Sequence, residues 1–126
     1  MRKTEINTLH NILLYIISRL SGTQKCDVYR IVKAAFFAQK FHIVRYLCPL
    51  YMDKIVALPY GPVPSALYDV LKYARGDSRF MDSDSELKAA AVGIKFEDEV
   101  FSAIEKPDMD YLSVSQVECL DDAIEK

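Results

Sequence analysis

The sequence predicts a mainly α fold of the α+β class: a compact helical domain of about four main helices with a small antiparallel β element. Four segments carry apolar residues at steps of three and four, which is the spacing of amphipathic helices. Two other stretches alternate apolar and polar residues beside turn-forming residues, as short strands do. With 126 residues, of which 51 % are hydrophobic and 27 % charged, the chain can bury a core without disulfides or metal.

The first helix is predicted over about Thr4–Leu20. Further apolar residues within Ile12–Ile17 widen its apolar surface beyond one stripe, so we expect a central helix that is contacted on more than one side. The same run is too short to span a bilayer or to serve as a signal peptide. We therefore expect no membrane association and a cytoplasmic protein.

The second helix is predicted from a cap at Thr23 or Asp27 to about Arg45. It carries Lys33 and His42. Lys33 either extends its charge into solvent or pairs with an acid such as Asp53. His42 is expected to be a hydrogen-bonded helix residue, because no nucleophile motif accompanies it.

The rest of the fold is predicted to be arranged around the stretch Ile55–Tyr73. Its start favours a short strand, and three prolines bias the residues before them toward extended backbone. The segment Tyr60–Pro62 is predicted to form a rigid corner in which Gly61 either takes a positive φ or lets another backbone come close. Pro64 is predicted to open a third helix that runs to Gly76. The corner either joins two core elements or contacts a partner.

Between Gly76 and the last helix the chain carries turn-forming residues and short alternating runs. Residues Asp77–Glu86 lack a period and are predicted to form an exposed loop. The runs Ala91–Phe96 and Glu99–Ile104 predict a hairpin that turns at Glu97-Asp98. A terminal helix is predicted to begin at a capping box formed by Ser113 and Gln116.

Motifs of catalysis or cofactor binding are missing from the sequence. It contains no phosphate-binding glycine loop and no recognisable hydrolase or metalloprotease motif. The three cysteines and two histidines are widely separated, which predicts reduced thiols and no metal site. We therefore expect no catalytic residue, no metal and no cofactor.

Charge is distributed unevenly along the chain. Residues 1–76 hold eleven bases and four acids, a net of +7, whereas residues 77–126 hold five bases and fourteen acids, a net of −9. Either these charges neutralise each other within the fold or one patch faces a partner. Nucleic-acid binding is disfavoured, though not excluded, because it depends on uncompensated Lys and Arg. Tyrosines near the corner suit a protein-binding surface or the core: Tyr46, Tyr51, Tyr60, Tyr68 and Tyr73.

The run from Lys33 to Tyr68, KAAFFAQKFHIVRYLCPLYMDKIVALPYGPVPSALY, resembles the SocA-like antitoxin domain called Panacea, which also occurs in phage-associated GepA-type proteins. That family carries a K-L-L-Y-F-A-Q-like helix, a nearby histidine, a P-L segment, an acid, an I-x-A strand, and Y-G-P-V before a helix. The matching residues fall in register without gaps: Lys33, Phe36, Phe37, Ala38, Gln39, His42, Pro49, Leu50, Ile55, Ala57, Tyr60, Gly61, Pro62, Val63 and Tyr68. The first helix and the L-S-x-x-Q start of the last helix are also similar.

Three positions depart from the family pattern. Phe36 replaces a tyrosine, and Leu47 stands where relatives have the glycine that ends the second helix. The chain also ends at Lys126, before a final segment with a histidine and a tryptophan that many relatives carry.

The resemblance implies a single domain over residues 1–126 that neutralises a cognate toxin by direct binding. In SocA-like members such a domain also acts as an adaptor that presents the toxin to a protease. The residues that the resemblance marks as partner-binding or as a structural signature are Lys33, His42, Asp53, Tyr60, Gly61, Pro62, Val63 and Tyr68. Two alternatives remain: a DNA-binding regulator of a toxin–antitoxin or prophage operon, and, least favoured, a hydrolase that uses His42 with Asp53.

Overall fold

The computed structural model describes residues 2–22, 25–59, 61–77 and 85–125. Within these ranges it contains five α-helices, two β-hairpins and one 3₁₀ turn, which confirms the predicted mainly helical fold with a small antiparallel β content. In chain order the elements are α1 (Lys3–Leu20), α2 (Val28–Tyr46), β1 (Ile55–Leu58), β2 (Gly61–Pro64), α3 (Ser65–Ala74), α4 (Ser85–Ala91), β3 (Ile94–Glu97), β4 (Val100–Ala103), the 3₁₀ turn (Met109–Tyr111) and α5 (Val114–Glu125).

Helix α1 lies at the centre of the core. Every residue from Ile12 to Ile17 is buried, because α2, α4, α5 and β4 all pack against this helix. The prediction of a helix contacted on more than one side is therefore confirmed. No helix in the described ranges combines the length and the apolar character that a membrane span requires.

Helix α2 begins and ends with distinct local chemistry. The predicted cap at Asp27 forms: its carboxylate accepts a hydrogen bond of 2.9 Å from the backbone N–H of Arg30. The alternative cap, Thr23, lies outside the described residues. At the other end Leu47 adopts the left-handed conformation with φ 59°, and its side chain is 88 % exposed. Leu47 thus takes the backbone geometry that glycine supplies in the family pattern.

We expect the substitution Leu47→Gly to raise the free energy of unfolding by about 1 kcal/mol, because a side chain clashes with the backbone in the left-handed region and glycine has none. Urea denaturation of the purified variant measures this change. Leu47→Ala is the matched control, since alanine keeps the Cβ atom. An equal gain from both variants would contradict the backbone explanation.

Strands β1 and β2 form a tight antiparallel hairpin. Leu58 pairs with Gly61 and Ile55 with Pro64, so the chain reverses between Leu58 and Gly61. The predicted corner is wrong for Gly61 and Pro62, which already lie in β2, and its first residue, Tyr60, lies outside the described residues. Pro64 is the N-cap of α3 rather than its first helical residue. Of the two alternatives for Gly61, the positive φ is the one observed, at 125°.

The second hairpin is confirmed, with a shift in its turn. Asp98 and Glu99 both have positive φ, so the turn lies one residue later than predicted. Helix α4 was not predicted. It begins within the predicted loop Asp77–Glu86, of which residues 78–84 lie outside the described ranges. Seven residues are too few to show a helical period, although Ala89 to Ala91 are strong helix formers.

Helix α5 begins at the predicted capping box and packs most extensively on α2. The side chain of Gln116 accepts a hydrogen bond of 2.7 Å from the Ser113 N–H, and Ser113 Oγ accepts one of 3.3 Å from the Gln116 N–H. Arg45 on α2 contacts Asp122 at 2.6 Å and Glu118 at 3.4 Å on α5. Part of the opposite charge of the two halves is thus neutralised within the fold.

All three cysteines are free thiols. Cys26 and Cys119 are buried, and burial raises the pKa of Cys26 to about 12. Cys48 is exposed. Among the described residues no group of three or more His, Cys, Asp and Glu side chains is arranged to hold a metal ion.

Candidate protein-binding groove

A groove of about 450 Å³ lies between α2, β2 and α3. Six residues of α2 form one wall: Val28, Tyr29, Val32, Lys33, Phe36 and Phe37. The opposite wall comes from the hairpin and from α3 with its C-terminal flank: Gly61, Pro62, Val63, Tyr68 and Arg75.

The groove is apolar at its base and open to solvent at its rim. Val32 and Val63 are buried, and the rings of Phe36 and Phe37 meet edge to face with centroids 5.4 Å apart. Tyr29 is 59 % exposed beside them. A cavity of this volume with apolar and aromatic walls can receive several side chains of a partner.

Two cations stand at the groove without an acidic partner in the described part of the chain. Lys33 and Arg75 are both exposed, and neither makes an ion pair there. A third cation, the ammonium group of Lys72, lies 4.6 Å from the centroid of the Tyr68 ring and pairs with Asp69 at 3.3 Å. The groove therefore combines an apolar base with positive charge.

Asp53 caps α3 from outside that helix. Its carboxylate accepts hydrogen bonds of 2.7 Å from the backbone N–H of Ala66 and 3.0 Å from that of Leu67, and another of 2.7 Å from the N–H of Lys54. These donors are unsatisfied groups at a helix start, where negative charge is also favourable. Among the described residues Asp53 forms no ion pair with Lys33. Of the two alternatives predicted for Lys33, a side chain that extends its charge into solvent is therefore the one observed.

His42 is buried and hydrogen-bonded on both sides, as the sequence predicts for a helix residue. Its Nδ1 lies 2.8 Å from the carbonyl oxygen of Cys48, which can only accept, so Nδ1 carries the proton. Its Nε2 then accepts from Ser115 Oγ at 3.0 Å. His42 thereby joins α2 to α5 away from the groove, and neither ring nitrogen is bonded to Asp53.

Gln39 is a residue whose role the sequence did not single out. Its buried side chain accepts hydrogen bonds of 2.6 Å from the Leu50 N–H and 3.3 Å from the Tyr51 N–H, and donates one of 2.7 Å to the Tyr51 carbonyl. It therefore holds the segment that leads from α2 to β1. The only available signal was its position in the run that resembles the family.

The five tyrosines near the hairpin have different roles. Tyr51 is buried, its hydroxyl donates to the Ala35 carbonyl at 3.0 Å, and burial raises its pKa. Tyr46 is exposed and its hydroxyl donates to Glu118, which raises the pKa of Tyr46. Tyr68 lines the groove. Tyr73 is half-buried, and Tyr60 lies outside the described residues.

We expect Gly61→Val to lower the free energy of unfolding by about 1–3 kcal/mol and to weaken partner binding, because φ 125° suits glycine and strains a β-branched residue. A Cβ atom at Gly61 would meet no neighbour within 4 Å, so strain rather than collision causes the loss. Gly22→Val is the matched control, since Gly22 is equally open and has no positive φ in the left-handed range. Thermal unfolding compares the two, and equal losses would contradict the strain explanation.

Residues 31–126 match the family model described as antitoxin SocA-like, Panacea domain. The matched region includes the groove residues from Val32 onward, together with Asp53, His42 and Gln39. No curated protein and no solved structure matches the chain.

Proposed function

The chain belongs to the antitoxin SocA-like, Panacea domain family, and from that premise we propose that it neutralises a cognate toxin protein by binding it directly through the groove between α2, β2 and α3. The proposal gives the chain no catalytic role and places its action in the cytoplasm. It needs no cofactor, because neutralisation by binding requires only a complementary surface.

One observation carries this proposal beyond family membership. Of the residues that the resemblance marks as a signature, five line the same groove: Lys33, Gly61, Pro62, Val63 and Tyr68. They come from α2 and from the contiguous segment of β2 and α3, two parts of the chain that lie apart in the sequence. A sixth signature residue, Asp53, does not line the groove but caps α3 at the point where that helix follows β2, and so helps to fix one wall of the groove.

The chemistry of the groove suits a protein partner. Aromatic side chains supply large contact areas at a low cost in conformational entropy, and they dominate the energy of many protein interfaces. Tyr29 is exposed and Tyr68 is half-buried, so both rings present area that a partner can cover. Charged groups at the rim favour rapid and selective association.

We extend the proposal to delivery of the bound toxin to a protease, as the SocA-like resemblance implies. A chain in this role shortens the half-life of its toxin, whereas simple sequestration lengthens or preserves it. Measuring toxin decay after translation is stopped, with and without the chain, separates these two forms of neutralisation.

Co-expression with the neighbouring reading frame tests the proposed function. We expect that frame to encode a protein that arrests growth alone, is harmless together with this chain, and copurifies with it. A toxic neighbour that the chain neither binds nor neutralises would contradict the proposal.

A further inference from the structure

We infer that the groove takes an amphipathic α-helix of the toxin whose apolar side is bordered by acidic residues. The inference rests on the proposed function, because it identifies the part of the toxin that the groove recognises. Three features of the described residues lead to it: the edge of β2, the spacing of residues on α2, and the charge of the groove.

The free edge of β2 is unsuited to pairing with a partner strand. Pro62 and Pro64 have no N–H, so the donors that pair β2 with β1 must come from Gly61 and Val63. Donors alternate between the two edges of a strand, which leaves the prolines facing the free edge. A partner strand added there would find no N–H donors from these two positions.

A helix does not need such donors, because its backbone hydrogen bonds are internal. The groove wall on α2 also matches a helix in shape. Tyr29, Val32 and Phe36 follow one another at steps of three and four and form one stripe. The wall from Val28 to Phe37 is about 14 Å long, which is room for two to three turns of a partner helix.

The charge of the groove selects acidic flanks for that helix. Its lining residues in the described part of the chain include Lys33 and Arg75 but no Asp or Glu. Two other cations of α2 are already compensated: Arg30 pairs with Asp27 at 3.0 Å and Arg45 with Asp122 at 2.6 Å. Lys33 and Arg75 have no acidic partner among the described residues, so both can pair with carboxylates on either side of the helix.

Selection from a displayed peptide library tests this inference. The library consists of 16-residue helices whose inward positions vary among large apolar residues and whose flanking positions vary among Glu, Gln and Lys. We expect the wild-type chain to enrich helices with aromatic or aliphatic inward residues and Glu flanks. The double variant Lys33→Glu, Arg75→Glu should reverse the preference to Lys flanks, which a misfolded protein could not do.

The matched control is Lys40→Glu, Lys54→Glu, which makes the same change of charge at exposed positions outside the groove. We expect this control to keep the preference for Glu. An enriched helix with Glu flanks should bind the wild type at least about tenfold more tightly than the groove variant, as reversal of two close charges implies.

The inference is overturned if no helix is enriched, if flank preference is the same for wild type and groove variant, or if the control reverses it too. These outcomes are separable from failure of the proposed function. Neutralisation of the neighbouring toxin without any preference for acidic helices overturns the inference alone. Selection of acidic helices by a chain that fails to neutralise the toxin overturns the proposed function alone.

Discussion

The substitution Gln39→Leu is expected to lower the free energy of unfolding by about 3–5 kcal/mol. Leucine has a similar volume, so the core remains filled, but two backbone N–H groups and one carbonyl in the Leu50–Tyr51 segment lose their buried partner. Each buried polar group without a partner costs about 1–3 kcal/mol. Urea denaturation followed by circular dichroism measures the loss.

Gln116→Leu is a matched control for this effect, because Gln116 also donates to the same segment, at 2.7 Å to the Leu50 carbonyl. Gln116 is only half-buried and belongs to a capping box, so its loss should cost about 1 kcal/mol. A Gln39 variant no less stable than the Gln116 variant would contradict the role assigned to the buried amide.

The substitution Asp53→Ala is expected to lower the free energy of unfolding by about 2–3 kcal/mol and to reduce toxin binding. It removes the acceptor of two N–H groups at the start of α3 and of one beside β1. Hydrogen bonds to charged groups contribute about 1.5–3 kcal/mol, and loss of a helix cap alone costs up to about 2. Since β2 and α3 form one wall of the groove, a loosened junction also disturbs the binding surface.

Two further variants serve as controls for Asp53→Ala. Asp53→Asn keeps one oxygen acceptor and should retain part of the stability. Asp69→Ala removes an acid of α3 whose ion pair with Lys72 is partly exposed, so it should cost less than about 1 kcal/mol. An Asp53→Ala loss as small as that of Asp69→Ala would show that the carboxylate does not hold the junction.

The helices were predictable because their determinants are local. The apolar period of α1, the cap at Asp27 and the capping box of Ser113 and Gln116 each depend on residues within a few positions of one another. Exact turns were less predictable. Asp98 and Glu99 adopt positive φ although neither is glycine. Residue type alone therefore placed the turn of the second hairpin one position too early.

The groove could not be predicted as a site, although the resemblance marked five of its residues. Its shape depends on the relative position of α2 and α3. That position is set by contacts between residues that are separated in the sequence. Asp53 joins Ala66 and Leu67, and Gln39 joins Leu50 and Tyr51. The spacing of apolar residues along the sequence does not indicate which distant residues form such hydrogen bonds. For the same reason Tyr29 was missed, since only the fold places it beside β2.

The central claim is that the groove is the toxin-binding surface. It is tested by calorimetric titration of the toxin encoded by the neighbouring reading frame into the wild type and two tyrosine variants. Tyr29→Glu places a carboxylate in the groove at the first turn of α2, where an acid does not harm the helix. Tyr111→Glu makes the same change at an exposed tyrosine of the 3₁₀ turn, outside the groove. We predict that Tyr29→Glu weakens toxin binding by about thirtyfold or more, because it removes an aromatic contact and brings a carboxylate into the groove, and that Tyr111→Glu leaves it unchanged. Wild-type affinity in the Tyr29 variant, or a loss confined to the Tyr111 variant, would contradict the claim.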